Sequence, residues 1–196
     1  MDSGRFETFI DAILAIMMTV MVLKIPQPEA MTFAGIMDLK ILYFAYFVSF
    51  IVIFSIWDHH RKLFSLIEEI DNQVIWTYSM LIFFITLLPY FTAWVAHEPY
   101  DVLPELMFGL LFLIINILYI ISTSIAIRND VHNDLINDLN YNELIIINVL
   151  LFAIGIVSIF IGYPISMLII CLITLITWNI IPAIKKTYHI GDNNGN

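Results

Sequence analysis

Residues 1–25 read MDSGRFETFIDAILAIMMTVMVLKI. From Phe6 onward the run approaches the roughly 20 apolar residues that a helix needs to cross a bilayer. Pro26 and Pro28 stop it. Asp11 lies inside this run, six residues after Arg5. A charge at membrane depth costs about 3 kcal/mol or more, so a chain that retains one has a use for it. The first segment therefore predicts both a membrane helix and a place to look for function.

Composition agrees with a bilayer as the solvent. The chain has 196 residues, 61% of them hydrophobic and 13% charged, and its mean hydropathy is +0.91. A soluble domain is nearer half apolar and a quarter charged, and a soluble fold of this size could not hide so much apolar surface. The formal net charge of −9 argues against nucleic acid, which asks for basic patches. Cys171 is the single cysteine, so no intrachain disulfide is possible. The first segment lacks a basic leader and a small-residue cleavage site, so it is expected to stay.

Six apolar segments are readable, at about residues 6–25, 39–57, 73–96, 104–127, 143–161 and 164–183. The expected fold is all-α, with a single six-helix transmembrane domain over residues 1–186 and a polar tail over 187–196. Asp71 and Asn72 open the third segment, and Gly162-Tyr163-Pro164 reads as a tight hairpin between the last two. Trp57, Trp94, Tyr100, Trp178 and Tyr188 fall near expected interfaces. With the N-terminus in the cytoplasm, Arg5, Arg61, Lys62, Arg128, Lys185 and Lys186 lie inside, and Lys24 and Lys40 outside. Six against two follows the positive-inside rule, with both termini cytoplasmic.

On a helical wheel, Ile16, Val20 and Leu23 share one side of the first helix with Ala12, and Thr19 flanks them. Asp11 lies about 140° from Ile16. Such a stripe packs against lipid or neighbouring helices, or it lines a pore at a symmetry axis. In a pore, a ring of isoleucines would gate by dewetting, and Thr19 would offer one oxygen per subunit. Spacing alone leaves both readings open. Asp11 needs partners, and the donors expected on its side are Arg5, Trp57, His59 and His60.

These residues resemble the transmembrane protein 175 family of potassium channels. That family's first helix carries Arg-x-x-x-Phe-Ser-Asp, then an Ala-Ile pair, a threonine and further aliphatic positions. The match here is Arg5, Phe9, Asp11, Ala15, Ile16, Thr19 and Leu23. Trp57-x-His59-His60 and the Asn72-to-Pro89 stretch are also similar to the family. The resemblance implies a channel selective for potassium over sodium, with six helices per repeat. It implies a homotetramer in the bacterial plasma membrane, with the first helix lining the pore. Ile16 then matches the constriction, Val20 and Leu23 the next hydrophobic layers, and Thr19 the pore-facing hydroxyl. Potassium would pass transiently near Ile16 and Thr19. Arg5, Phe9 and Asp11, with Trp57, His59 and His60, match the network that holds the cytoplasmic helix ends. Two positions depart from the pattern: Ile10 stands for the signature serine, and Lys24 for a commonly acidic residue.

The Asn-Asp repeat at 129–138 puts Asp130, Asp134 and Asp138 on one ridge if helical. It reads as a solvated extension, or as a cation-attracting rim. A rival class is a proton-coupled secondary transporter with Asp11 and His59 or His60 as its relay. No inverted repeat accompanies that reading. An enzyme is not expected, for want of a nucleophile–base pair or a phosphate loop, and no cofactor is implied.

Overall fold

The computed structural model describes residues 3–65, 67, 70–129, 141–163 and 165–178. The Asn-Asp repeat from Asp130 onward, His132, Lys185, Lys186, Tyr188, His189 and the tail lie outside the described residues. Within them the helices are α1 Ser3–Val22, α2 Phe33–Asp38, α3 Lys40–Phe64, α4 Asn72–Thr86, α5 Leu88–His97, α6 Val102–Asn129, α7 Tyr141–Ile161 and α8 Ser166–Trp178. No strand occurs among the described residues.

The first helix stops at Val22 rather than at residue 25. Lys24 N–H and Ile25 N–H close tight turns on the carbonyls of Met21 and Val22, and Pro26 disfavours helical backbone at Ile25. The second predicted span ends seven residues early at 57; α3 runs on to Phe64. The polar run after Trp57 does not break it, because Lys62 and Arg61 pair with Asp58 at helical spacing. His60, Leu63 and Phe64 are buried at its end. The third predicted span is two helices, with Leu87 between them. Pro89 lacks the N–H that would bond Ile85 and its ring crowds that carbonyl, so the ladder restarts. The short helix α2 was not foreseen; Thr32 caps it, its hydroxyl accepting from Gly35 N–H at 3.2 Å. The expected hairpin is present: Gly162 has φ +104°, and Tyr163 N–H and Gly162 N–H bond the carbonyls of Ser158 and Ile159. Only glycine takes that φ cheaply, so it ends α7.

The chain reverses direction at each long helix. At one end Phe6 of α1 meets Phe64 of α3 and Tyr78 of α4, at 5.9 and 6.3 Å between ring centroids. At the other end Met21 shares a groove with Leu42 of α3 and with Pro89 and Thr92 of α5. His59, Tyr119 and Trp178 gather α3, α6 and α8 at the first end. In lipid there is little hydrophobic drive between helices, so close packing and buried hydrogen bonds hold the bundle. Ser49 of α3 and Thr92 of α5 share such a bond at 2.6 Å. Met167 of α8 wedges between Gly109 of α6 and Gly155 of α7, where a Cβ would meet its sulfur at 2.6 and 2.9 Å.

Three helical stretches are long and apolar enough to cross a membrane: Lys40–Phe64, Asn72–His97 and Val102–Ile127. Ile145–Ile161 and Ser166–Trp178 are apolar but shorter among the described residues. Arg5, Glu7 and Asp11 keep α1 out of that class. The chain is an integral membrane protein.

Candidate functional site

Helix α1 has two unlike faces. Ser3, Phe6, Ile10, Leu14 and Met21 are buried at spacings of three, four and seven, which is one side of a helix. Ile13, Met17 and Met18 pack beside them. This side seats against α3, α4 and α5. The opposite side is open: Arg5, Thr8, Phe9, Ala12, Ala15, Ile16, Thr19, Val22 and Leu23 are all exposed. Ile16 is 53% exposed and Leu23, one residue past the helix end, 79%. Val20 is half-buried on the shoulder of this side.

The open side carries little polarity. Thr19 donates its hydroxyl proton to the Ile16 carbonyl at 2.8 Å. That back-bond uses the hydroxyl proton and leaves the oxygen able to accept a hydrogen bond. Thr8 makes the same kind of bond to Gly4 at 2.8 Å. Ala12 and Ala15 keep the wall thin between these hydroxyls. The face is mostly apolar, with Arg5 and the Thr8 and Thr19 hydroxyls as its polar groups among the described residues.

The predicted network is only partly assembled within one chain. Asp11 is half-buried on the flank, and among the described residues its buried Oδ1 has no hydrogen-bond partner. No ion pair joins it to Arg5 among the described residues. Phe9 is 58% exposed on the open side. His60 is fully buried, its ring 4.2 Å from Phe64 and 5.4 Å from Tyr78. His59 faces the other way, edge-on to Tyr119 and Trp178. The ion pairs in this region centre on Asp58, the unspecified residue of the Trp57-x-His59-His60 pattern. It takes Arg61 at 3.4 Å and Lys62, and Arg61 lies over the Trp57 ring at 5.4 Å. The four-residue step from Asp58 to Lys62 was a legible signal for that pair. Lys24 lines the groove between α1, α3 and α5 with Tyr46 and Ala96.

The family model described as the endosomal/lysosomal potassium channel TMEM175 matches residues 5–89, from the open face of α1 to the start of α5. A potassium channel of Chryseobacterium sp. strain P1-3 is 28% identical over 165 residues, covering 84% of this chain and 85% of that protein. The first part of the chain is therefore similar to the TMEM175 family. A potassium channel of Chamaesiphon minutus is 32% identical over 101 residues, which is 48% of this chain and 50% of that one. The crystal structure of a lysosomal potassium-selective channel TMEM175 homolog from Chamaesiphon minutus superimposes with a TM-score of 0.77. It covers 92% of this chain and 97% of that chain at 23% identity, so the TMEM175 fold extends well beyond the matched first half.

Proposed function

We propose that this chain is a TMEM175-family potassium channel, conducting passively through a pore lined by the open faces of α1 from four copies. The observation that carries this reading is the division of α1. Its buried side is sealed against its own bundle, whereas Ile16, Thr19 and Leu23 are left for something outside the chain. A single subunit this apolar has too few polar residues to line its own water path. A shared axis asks only one helix face of each subunit. Ile16 is then the narrowest ring, where an ion must shed most of its water, and the Thr19 oxygens lie one turn beyond it. Leu23 and the shoulder residue Val20 form the next apolar layers. The relatives named as potassium channels support the choice of ion.

The same assembly provides for the stranded charges. Arg5 on the open face and Asp11 on the flank are placed to pair across neighbouring copies, holding the cytoplasmic ends. The remaining spans would be α1 and the two shorter helices, giving six, with both termini cytoplasmic. The carrier reading, a proton relay through Asp11, His59 and His60, gains no support from the geometry. The two histidine rings point to different sides of α3, each into an aromatic cluster.

Purified protein in liposomes should collapse a potassium gradient without any co-substrate, and mass measurement in detergent should give four copies. A gradient left intact across a range of pH and voltage would sink the channel reading. Flux that saturates and demands a coupled ion would favour the carrier.

A further inference from the structure

The Trp57-x-His59-His60 pattern has a member that the pore does not use. His59 turns away from α1 into a small, partly open pocket between α3, α6 and α8, lined by Ser55, His59, Asn116, Tyr119 and Trp178 among apolar residues. Its volume is about 20 Å³, enough for one water. Trp178 is 7% exposed, and its indole N–H has no hydrogen-bond partner among the described residues. An indole N–H donates only. His59 Nδ1 lies 2.7 Å from the Ser55 carbonyl oxygen. A carbonyl only accepts, so Nδ1 carries the proton and Nε2 is left as the acceptor. Asn116 spends an amide proton on the Phe112 carbonyl at 2.7 Å, and its own oxygen is likewise an acceptor.

The wall thus holds one buried donor and two acceptors that do not reach one another. We propose that a single ordered water occupies this space, accepting from Trp178 Nε1 and donating to His59 Nε2 and Asn116 Oδ1. The chemistry selects water over the alternatives. A cation would face the indole N–H, an anion would find no positive group, and an apolar molecule would leave the indole unsatisfied. The bound water joins the first-end portion of α3 to α8, two helices that the chain places far apart in sequence. It makes His59 a positioning residue inside the subunit, apart from the ion path.

The test uses the full chain in lipid nanodiscs. A high-resolution map should show one compact density within about 3.2 Å of both Trp178 Nε1 and His59 Nε2. The ultraviolet resonance Raman difference between wild type and Trp178→Phe should place the Trp178 indole band at its hydrogen-bonded position. His59→Gln, which keeps an acceptor, should leave that band in place, and His59→Phe should move it toward the free position. A free-indole signature in the wild type, a direct Trp178–His59 bond, or elongated density from a lipid or detergent would each overturn the proposal. If Trp178→Phe does not fold, the wild-type map alone decides.

Discussion

Leu14 and Ile16 are two residues apart and nearly equal in size, yet Leu14 is 0% exposed and Ile16 53%. A step of two residues turns a helix by about 200°, so one packs into the bundle and the other leaves it. This contrast motivates the first residue-scale prediction. Ile16→Asn should hydrate the constriction and raise sodium flux relative to potassium several-fold, read as the reversal-potential shift in mixed solutions. An unchanged ratio would remove Ile16 from the constriction. His60 gives a second. Neither of its ring nitrogens has a hydrogen-bond partner among the described residues, and its neighbours are Phe64 and Tyr78. Leaving a buried polar group unsatisfied costs about 1–3 kcal/mol. His60→Phe should therefore fold at least as well as wild type and keep potassium flux within about twofold. Loss of flux with normal folding would revive a proton relay through this residue.

At the scale of elements, the last three helices depend on small residues. Gly109 and Gly155 face the Met167 side chain from two sides. Lipid cannot reward separation of these helices with hydration, so contact distance decides how well they hold. Gly109→Ala places a Cβ within 2.6 Å of the Met167 sulfur. Overpacking of this kind costs about 1–3 kcal/mol, and the variant should unfold at a lower temperature by fluorescence-monitored melting. The double variant with Met167→Ala should recover part of that loss. If Gly109→Ala melts like wild type, the wedge has room the structure does not suggest. The break at Pro89 belongs to this scale too. It lets α5 restart with Thr92 turned toward Ser49, and an unbroken α4 would carry Thr92 elsewhere.

At the scale of the whole molecule, the question is what covers α1. A helix bearing Arg5, Glu7 and Asp11 is a poor lipid-facing surface. Four copies around an axis would turn the same charges toward one another. Asp11→Ala should then lower the yield of tetramer in detergent by more than half. The tetramer that does form should keep its potassium-to-sodium ratio, because the carboxylate sits on the flank of the open face. Full tetramer yield with altered selectivity would place Asp11 in the ion path instead.

The solvent, the helical class and the resemblance to the family could be read from particular residues. Apolar runs of bilayer length, Pro26 and Pro28 as stops, and Gly162 as a turn act locally, and local rules need no knowledge of neighbours. The signature of Arg5, Phe9, Asp11, Ile16 and Thr19 could be read because its pattern is contained in about four turns of one helix. What the residues could not disclose was set by contacts between distant elements. The α3 extension to Phe64 rests on Phe6 and Tyr78 closing over its end. The surroundings of His59 follow from how α3 is rotated against α6 and α8. Above all, periodicity gives α1 two faces but not which one the bundle covers. Only the packing of Ile10, Leu14 and Met21 against the other helices leaves Ile16 and Thr19 facing outward, since burial belongs to the whole assembly and not to any single stretch of chain.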